Sequence, residues 1–187
     1  MEKFVDVILP LPLNACFTYA LPPDMDGEVQ IGCRVVVSFG KKKFYTGIVR
    51  NVHFLKPQDY EVKEVSAVLD TQPVLLPLQF KFWEWLADYY LCTQGDVYKA
   101  ALPSGLKLES ETVVELNPDF EATEPLTERE QKVFDLLTAE PEQTVTRLEK
   151  DSGLKNILSV VKSLLEKDAL FVKEELKRTY KPKTETR

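Results

Sequence analysis

The sequence is poor in the residues that build metal centres, disulfide frameworks and phosphate-binding loops. Its 187 residues include one histidine, three cysteines and seven glycines. Because His53 stands alone, we predict neither a histidine-based metal centre nor a Ser-His-Asp triad. The cysteines, at positions 16, 33 and 92, are odd in number and widely spaced, which indicates reduced thiols rather than disulfides.

The usual nucleotide-binding loops are missing as well. A P-loop ending at Gly40-Lys41 needs glycine at position 35 and Ser or Thr at position 42, and Val35 and Lys42 stand there instead. No G-x-G-x-x-G segment occurs either. Since no base and nucleophile pair stands out, we predict that this chain is not an enzyme by itself and holds no cofactor of its own.

Long apolar segments are also absent. No run approaches the roughly 18 apolar residues that span a bilayer. The first seven residues are acidic and alternating, without the apolar stretch of a signal peptide. We expect a cytoplasmic protein that does not associate with membranes.

The charge balance is acidic, with 24 basic and 30 acidic side chains and a formal net charge of -6. This balance argues against a uniformly basic, nucleic-acid-coating protein. It leaves room for a local basic site. A hydrophobic share of 44% with 29% charged residues is typical of a globular chain rather than a disordered one.

The first half of the chain is rich in strands. Short β-branched runs separated by turn residues occupy 5–9, 17–21, 34–39, 45–52 and 64–69, which predicts a small antiparallel barrel or sandwich. From Pro77 to Tyr90 or Leu91 the spacing becomes helical. The residues that recur at this spacing, and that we expect to be buried, are Leu78, Phe82, Trp85, Leu86 and Tyr89, with Trp83 partly exposed.

The second half has the order of a winged helix-turn-helix. Thr127 and Glu130 form a capping box at a first helix, and Thr146 with Glu149 repeats it at a second. Gly153 predicts a left-handed turn before a third helix over about 154–167.

These patterns predict an α+β chain of two domains. A β-rich, barrel-like domain with one main helix covers 1–106, an acidic connector covers 107–125, and a winged helix covers 126–176. The strand-like segment 112–116 is left open as a further part of the winged helix. A basic tail follows over 177–187, and we interpret it as a linker, with a DNA-binding arm as the alternative.

Two basic clusters are candidates for DNA contact. Lys41, Lys42 and Lys43 occupy the predicted hairpin tip between the third and fourth strands, where they fit phosphate binding or simply a solvated turn. The third helix of the winged domain presents Lys155, Asn156, Ser159 and Lys162. That face fits a major groove or a protein-interaction or purely structural helix.

An ordered set of short motifs carries a family resemblance. They are VILPLPL at 7–13, FTY at 17–19, GCRVVVSFGK at 32–41, GIV at 47–49, KEV at 63–65, VLD at 68–70, ADYY at 87–90 and ALP at 101–103. In this order and spacing they resemble the N-terminal region of the primosomal replication-restart helicases. The resemblance covers the first 105 residues, with a winged helix in the corresponding place.

The resemblance implies recognition of the 3′ end of the leading strand at stalled or branched forks, which allows primosome assembly. By motif, Phe17, Thr18, Gly40 and Lys63 match the 3′-terminal nucleotide pocket. Backbone groups of Phe17 and Gly40 would meet the base edge, and Lys63 the sugar or phosphate. Many members have aspartate at the position of Thr18. The neutral hydroxyl of threonine accepts a hydrogen bond from a 3′-hydroxyl more weakly than an aspartate carboxylate does.

The family further implies an ATP-dependent 3′-to-5′ helicase motor with magnesium and zinc, which we expect downstream and absent from this chain. The implied partners are forked DNA with a free 3′ end, single-strand-binding protein and other primosome components. We expect a monomer. The alternative is a dimeric winged-helix transcription regulator or a protein-interaction module with an added β domain.

Overall fold

The first part of the chain forms a five-stranded antiparallel sheet that curls into a half-barrel. The computed structural model describes residues 2–25, 27–40, 43–58, 60–122 and 124–173. The strands are β1 (Lys3–Ile8), β2 (Phe17–Leu21), β3 (Arg34–Phe39), β4 (Lys43–His53) and β5 (Val65–Val68), in the spatial order β2-β1-β4-β3-β5. The backbone N–H of Ala20 donates to the carbonyl of Lys63 at 2.8 Å. Edge strand β2 therefore meets the segment before β5 on the other side of the sheet, which confirms the barrel-like prediction.

The strands follow from alternation of β-branched residues. Val5 and Val7 of β1 and Val35 and Val37 of β3 are fully buried in one cluster. The predicted bounds of β2 and β3 are confirmed to the residue. The strand β4 is longer than predicted and begins at Lys43, because Lys43 pairs with Phe39 at the end of the β3–β4 hairpin.

Two helices cover the opposite face of the sheet. Helix α1 spans Pro77–Tyr90 and helix α2 spans Gln94–Ala101. The predicted limits of α1 are confirmed. It buries Phe80, Trp83 and Ala87 in a cluster with Ile8 and Ile48.

The predicted buried face of α1 is wrong. Trp83, expected to be partly exposed, has only 4% of its surface exposed, and it stacks on Tyr98 of α2 with ring centroids 5.8 Å apart. Four of the five residues expected in the core are instead more than half exposed, namely Leu78, Phe82, Trp85 and Tyr89.

The second part of the chain is a winged helix, as predicted. It comprises β6 (Val113–Leu116), α3 (Glu128–Ala139), β7 (Glu142–Thr144), α4 (Val145–Ser152), α5 (Ile157–Glu166) and β8 (Leu170–Lys173). Its sheet has the order β7-β6-β8, so β6 from the connector is the central strand. The tail at 177–187 lies outside the described residues, and so do residues 174–176.

Helix caps explain where these helices begin. The capping box at α3 is confirmed, since the backbone N–H of Thr127 donates to Glu130 Oε2 at 2.7 Å and the N–H of Glu130 donates to Thr127 Oγ1 at 3.3 Å. The capping box predicted for Thr146 and Glu149 is wrong. Thr144 caps α4, whereas the hydroxyl of Thr146 donates to the carbonyl of Ser110 at 2.7 Å.

The two parts share a hydrophobic core. Val36 and Leu69 of the first part lie in one buried cluster with Val145, Ile157 and Val161 of the winged helix. Packing of this kind holds the winged helix directly against the sheet. In the part of the chain that the structure describes, no helix is long and apolar enough to cross a membrane.

Candidate nucleic-acid interface

A small pocket lies where edge strand β2 meets the end of β3 and the segment before β5. Its volume is about 160 Å³. The residues that line it are Phe17, Thr18, Tyr19, Ser38, Phe39, Gly40, Tyr60, Glu61 and Lys63. The curl of the sheet thus brings together all four residues that the family resemblance assigns to a 3′-terminal nucleotide pocket, although Phe17 and Lys63 are 46 positions apart in the sequence.

Lys63 and Gly40 are in direct contact. The ammonium of Lys63 donates to the carbonyl of Gly40 at 2.6 Å. Gly40 has φ 69°, in the left-handed region that favours glycine. This conformation ends β3 and places the carbonyl at the ammonium, so the only described lysine of the pocket is fixed at its rim.

Thr18 contributes its backbone and its side chain in different ways. Its backbone N–H donates to the hydroxyl of Tyr60 at 3.3 Å. Its own hydroxyl donates to Asp6 Oδ1 at 2.8 Å, and the same oxygen lies 3.1 Å from His53 Nε2. The Thr18 hydroxyl proton is therefore committed to a carboxylate of β1.

Aromatic residues form the wall of the pocket. Phe17 and Phe39 pack edge to face, with centroids 4.8 Å apart. The hydroxyl of Tyr19 donates to the carbonyl of Ser38 at 3.2 Å. Burial, followed by the neighbouring Tyr60, raises the pKa of Tyr19 to about 12, so this hydroxyl is a neutral donor at pH 7.

Sequence reasoning missed Tyr60 and Glu61. Both are exposed at the pocket rim. Period-two spacing was the available indication, because Glu61 and Lys63 share a side of an extended segment. No comparable pattern marks Tyr60, which reaches Thr18 only through the curl of the sheet.

The structure describes one residue of the predicted lysine tip. Lys43 lies at the start of β4, more than half exposed, with its ammonium 3.4 Å from a carboxylate oxygen of Glu111. An exposed pair of this kind is weak, so Lys43 remains available to a phosphate. Lys41 and Lys42 lie outside the described residues.

The four residues predicted on the winged helix do not form one free surface. Lys155 and Asn156 are exposed just before α5, and Ser159 is half-buried. Lys162 points back to the first part of the chain, where its ammonium lies 2.5 Å from the carbonyl of Leu69 and 3.9 Å from Asp70 Oδ1. Contact between Lys162 and DNA would require these interactions to break.

A larger cleft of about 410 Å³ lies between the β1–β2 loop and helices α1 and α2. Its lining includes the carboxylates of Glu84 and Asp88 and, among the described residues, neither lysine nor arginine. Arg50 compensates the charge of Glu84 at 2.6 Å, but the carboxylate of Asp88 still opposes phosphate binding. This cleft is therefore a poor site for DNA. No group of three or more potential metal ligands occurs among the described residues.

Comparison with known proteins agrees with the two-part fold. A family model described as the 3′ DNA-binding domain of PriA matches residues 6–103, more than half of the chain. The chain belongs to this PriA domain family. A second model, described as a winged helix domain, matches residues 111–175. Neither description is that of a catalytic domain.

Several curated relatives bear the name replication restart protein PriA. The protein of Haemophilus influenzae is 36% identical over 107 residues, which cover 56% of this chain and 14% of that protein. The protein of Synechocystis is 33% identical over 122 residues, or 64% of this chain and 14% of the relative. For Bacillus subtilis the identity is 30% over 112 residues, again 14% of the relative. The chain therefore spans about a seventh of the length of the PriA proteins that it matches.

Proposed function

We propose that this chain recognises the 3′ end of the leading strand at stalled or branched DNA forks and so allows primosome assembly. The pocket holds the terminal nucleotide, and the winged helix supports the sheet that forms it. One observation carries the proposal: the pocket gathers Phe17, Thr18, Gly40 and Lys63 in a chain that belongs to a 3′ DNA-binding domain family.

The chemistry of the pocket fits a terminus of any sequence. The backbone groups of Phe17 and Gly40 would meet a base edge, where the Gly40 carbonyl would share its bond with Lys63. Main-chain groups discriminate less among bases than a bidentate side chain does. Phe17 and Phe39 offer apolar faces to a base or sugar. Lys63 supplies the pocket with one positive charge. A site that recognises a terminus needs few phosphate contacts, which is compatible with an acidic chain.

A titration with forked DNA tests the proposal. The leading strand ends in a 3′-hydroxyl in one fork and in a 3′-phosphate in the other. We expect tighter binding of the hydroxyl end, because a 160 Å³ pocket has little room for an added phosphate. Equal affinity for the two forks would refute recognition of the terminus.

Substitution of single lysines locates the recognition. Lys63→Ala removes the pocket ammonium and should weaken terminus-dependent binding by about tenfold, as for one charged hydrogen bond. Lys155→Ala, an exposed lysine beside α5, is the matched control and should change it by less than about threefold. The reverse order would place recognition in the winged helix.

The alternative function, a dimeric winged-helix regulator that reads duplex DNA, fits the structure less well. A regulator inserts the helix corresponding to α5 into a major groove. Here Lys162 of that helix is held by Leu69 and Asp70. A stable dimer with sequence-specific duplex binding would favour the regulator.

The properties of the whole protein form part of the same proposal. Its remaining residues would supply an ATP-dependent 3′-to-5′ helicase with magnesium and zinc, and this chain would need no cofactor. Single-strand-binding protein and other primosome components are the proposed partners. We propose that the chain is monomeric and acts in the cytoplasm.

A further inference from the structure

Glu61 is the one acidic residue among the described residues that line the nucleotide pocket. A free 3′-hydroxyl is a hydrogen-bond donor that needs an acceptor, and an ionised acceptor forms the stronger bond. A 3′-phosphate carries negative charge and no such donor when fully ionised. A carboxylate at the rim therefore attracts an end with a 3′-hydroxyl and repels an end with a 3′-phosphate.

Three other acceptors of the pocket already have partners. The carbonyl of Gly40 accepts from Lys63 at 2.6 Å, and the carbonyl of Ser38 accepts from Tyr19 at 3.2 Å. The hydroxyl of Tyr60 accepts from the backbone of Thr18 at 3.3 Å. A ligand that used these groups would have to share or displace an existing bond.

Thr18 is not well placed to replace that carboxylate. Its hydroxyl donates to Asp6 at 2.8 Å and is left as a neutral acceptor, which is weaker than a carboxylate. Along β2 its side chain also points away from the face of Phe17 and Tyr19, which form the pocket wall. The Glu61 side chain, in contrast, is exposed, and among the described residues its carboxylate has neither an ion pair nor a hydrogen bond.

We propose that the Glu61 carboxylate accepts the hydrogen bond of the terminal 3′-hydroxyl and repels a 3′-phosphate, which makes Glu61 the residue that determines selectivity for the chemical form of the end. Lys63 contributes attraction to the last internucleotide phosphate of either end, whereas Glu61 distinguishes between them. This role rests on the proposed function of the pocket.

The test is Glu61→Gln, which keeps the size and polarity of the side chain and removes its charge. Binding is measured with forks that end in a 3′-hydroxyl and with forks that end in a 3′-phosphate. The expected result is weaker binding of the hydroxyl end, by about fivefold for the change from a charged to a neutral acceptor, together with tighter binding of the phosphate end. The ratio of the two affinities should fall by at least this factor.

Glu64→Gln is the matched control. Glu64 is exposed and only three residues away but does not line the pocket, so its substitution should leave the ratio unchanged. We expect both variants to keep the Tm of the unchanged chain, because both side chains are exposed. An unchanged Tm shows that the fold is intact. If the unchanged chain prefers the hydroxyl end and Glu61→Gln keeps the same ratio, the role of Glu61 is refuted while the pocket stands. If the unchanged chain shows no preference, both proposals fall.

Discussion

Glu130 is a buried charge on which the stability of the winged helix depends. Its side chain is only 5% exposed. It accepts from Ser163 Oγ at 2.6 Å, from Lys167 Nζ at 2.8 Å and from the backbone N–H of Thr127 at 2.7 Å. The carboxylate therefore joins the beginning of α3 to the end of α5.

The pKa of Glu130 measures the strength of this arrangement. Burial disfavours the charged form and by itself raises the pKa, but the hydrogen bonds from Lys167, Ser163 and Thr127 outweigh it and lower the pKa from 4.5 to about 2. At about 1.4 kcal/mol per pH unit, this difference corresponds to about 3 kcal/mol of stability at pH 7. Because the pKa is lowered in the folded state, the contribution is complete above pH 4.5 and is lost as the pH falls toward 2.

Glu130→Gln should lower the free energy of unfolding at pH 7 by about 3 kcal/mol, since it leaves Lys167 unpaired and sets an amide donor among other donors. For a chain of this size the expected decrease in Tm is about 6–12 °C. Urea unfolding at pH 7 and pH 3 measures both the loss and its pH dependence. The difference between the variant and the unchanged chain should be smaller at pH 3.

Glu128→Gln is the control for this prediction. Glu128 lies in the same first turn of α3 but is exposed, so it should contribute only the fraction of a kcal/mol expected of a charge near a helix N-terminus. Equal losses for Glu128→Gln and Glu130→Gln, or a Glu130→Gln loss that is the same at both pH values, would refute the reasoning.

Two further pairs of substitutions test the packing. Trp83→Ala should lower the free energy of unfolding by about 3–5 kcal/mol. Trp85→Ala, at a position 54% exposed, should lower it by less than about 1 kcal/mol. Similar losses for the two variants in chemical denaturation would contradict the buried face assigned to α1. Gly95→Ala should destabilise the chain by about 1–3 kcal/mol, because a Cβ at Gly95 would lie 1.9 Å from the carbonyl oxygen of Leu11. Gly105→Ala is its control, since a Cβ there meets no atom within 4 Å, and a larger decrease in Tm at Gly105 would show that the contact is misjudged.

In helix α1, sequence periodicity predicts the limits of the helix but not its buried face. Its limits at Pro77 and Tyr90 were predictable, because proline favours the first helical position and the helical spacing stops there. The sequence offers two apolar faces, one containing Phe82 and Trp85 and the other Phe80 and Trp83. Spacing cannot choose between them, and the choice is made by the sheet, where Ile8 and Ile48 meet the second face.

The caps of the winged helix show a similar limit on a smaller scale. Thr144 and Thr146 are both good N-cap residues, so the local sequence permits either start for α4. Pairing of β6 with β7 through Thr144 and the bond from Thr146 to the carbonyl of Ser110 select Thr144. Contacts distant in sequence decide this boundary.

Local chemistry along the chain was thus enough for the strands and the order of the winged helix, because alternation, capping and turn residues act over a few positions. The pocket residues Phe17, Thr18, Gly40 and Lys63 were assigned by the family resemblance of their motifs. Closure of the half-barrel required the tertiary structure. Only the curl of the sheet brings Tyr60 to the backbone of Thr18 and Glu61 to the pocket rim. Packing of α5 on the sheet likewise removes Lys162 from the free surface of the winged helix, since a shared core buries more apolar area than either part could bury alone.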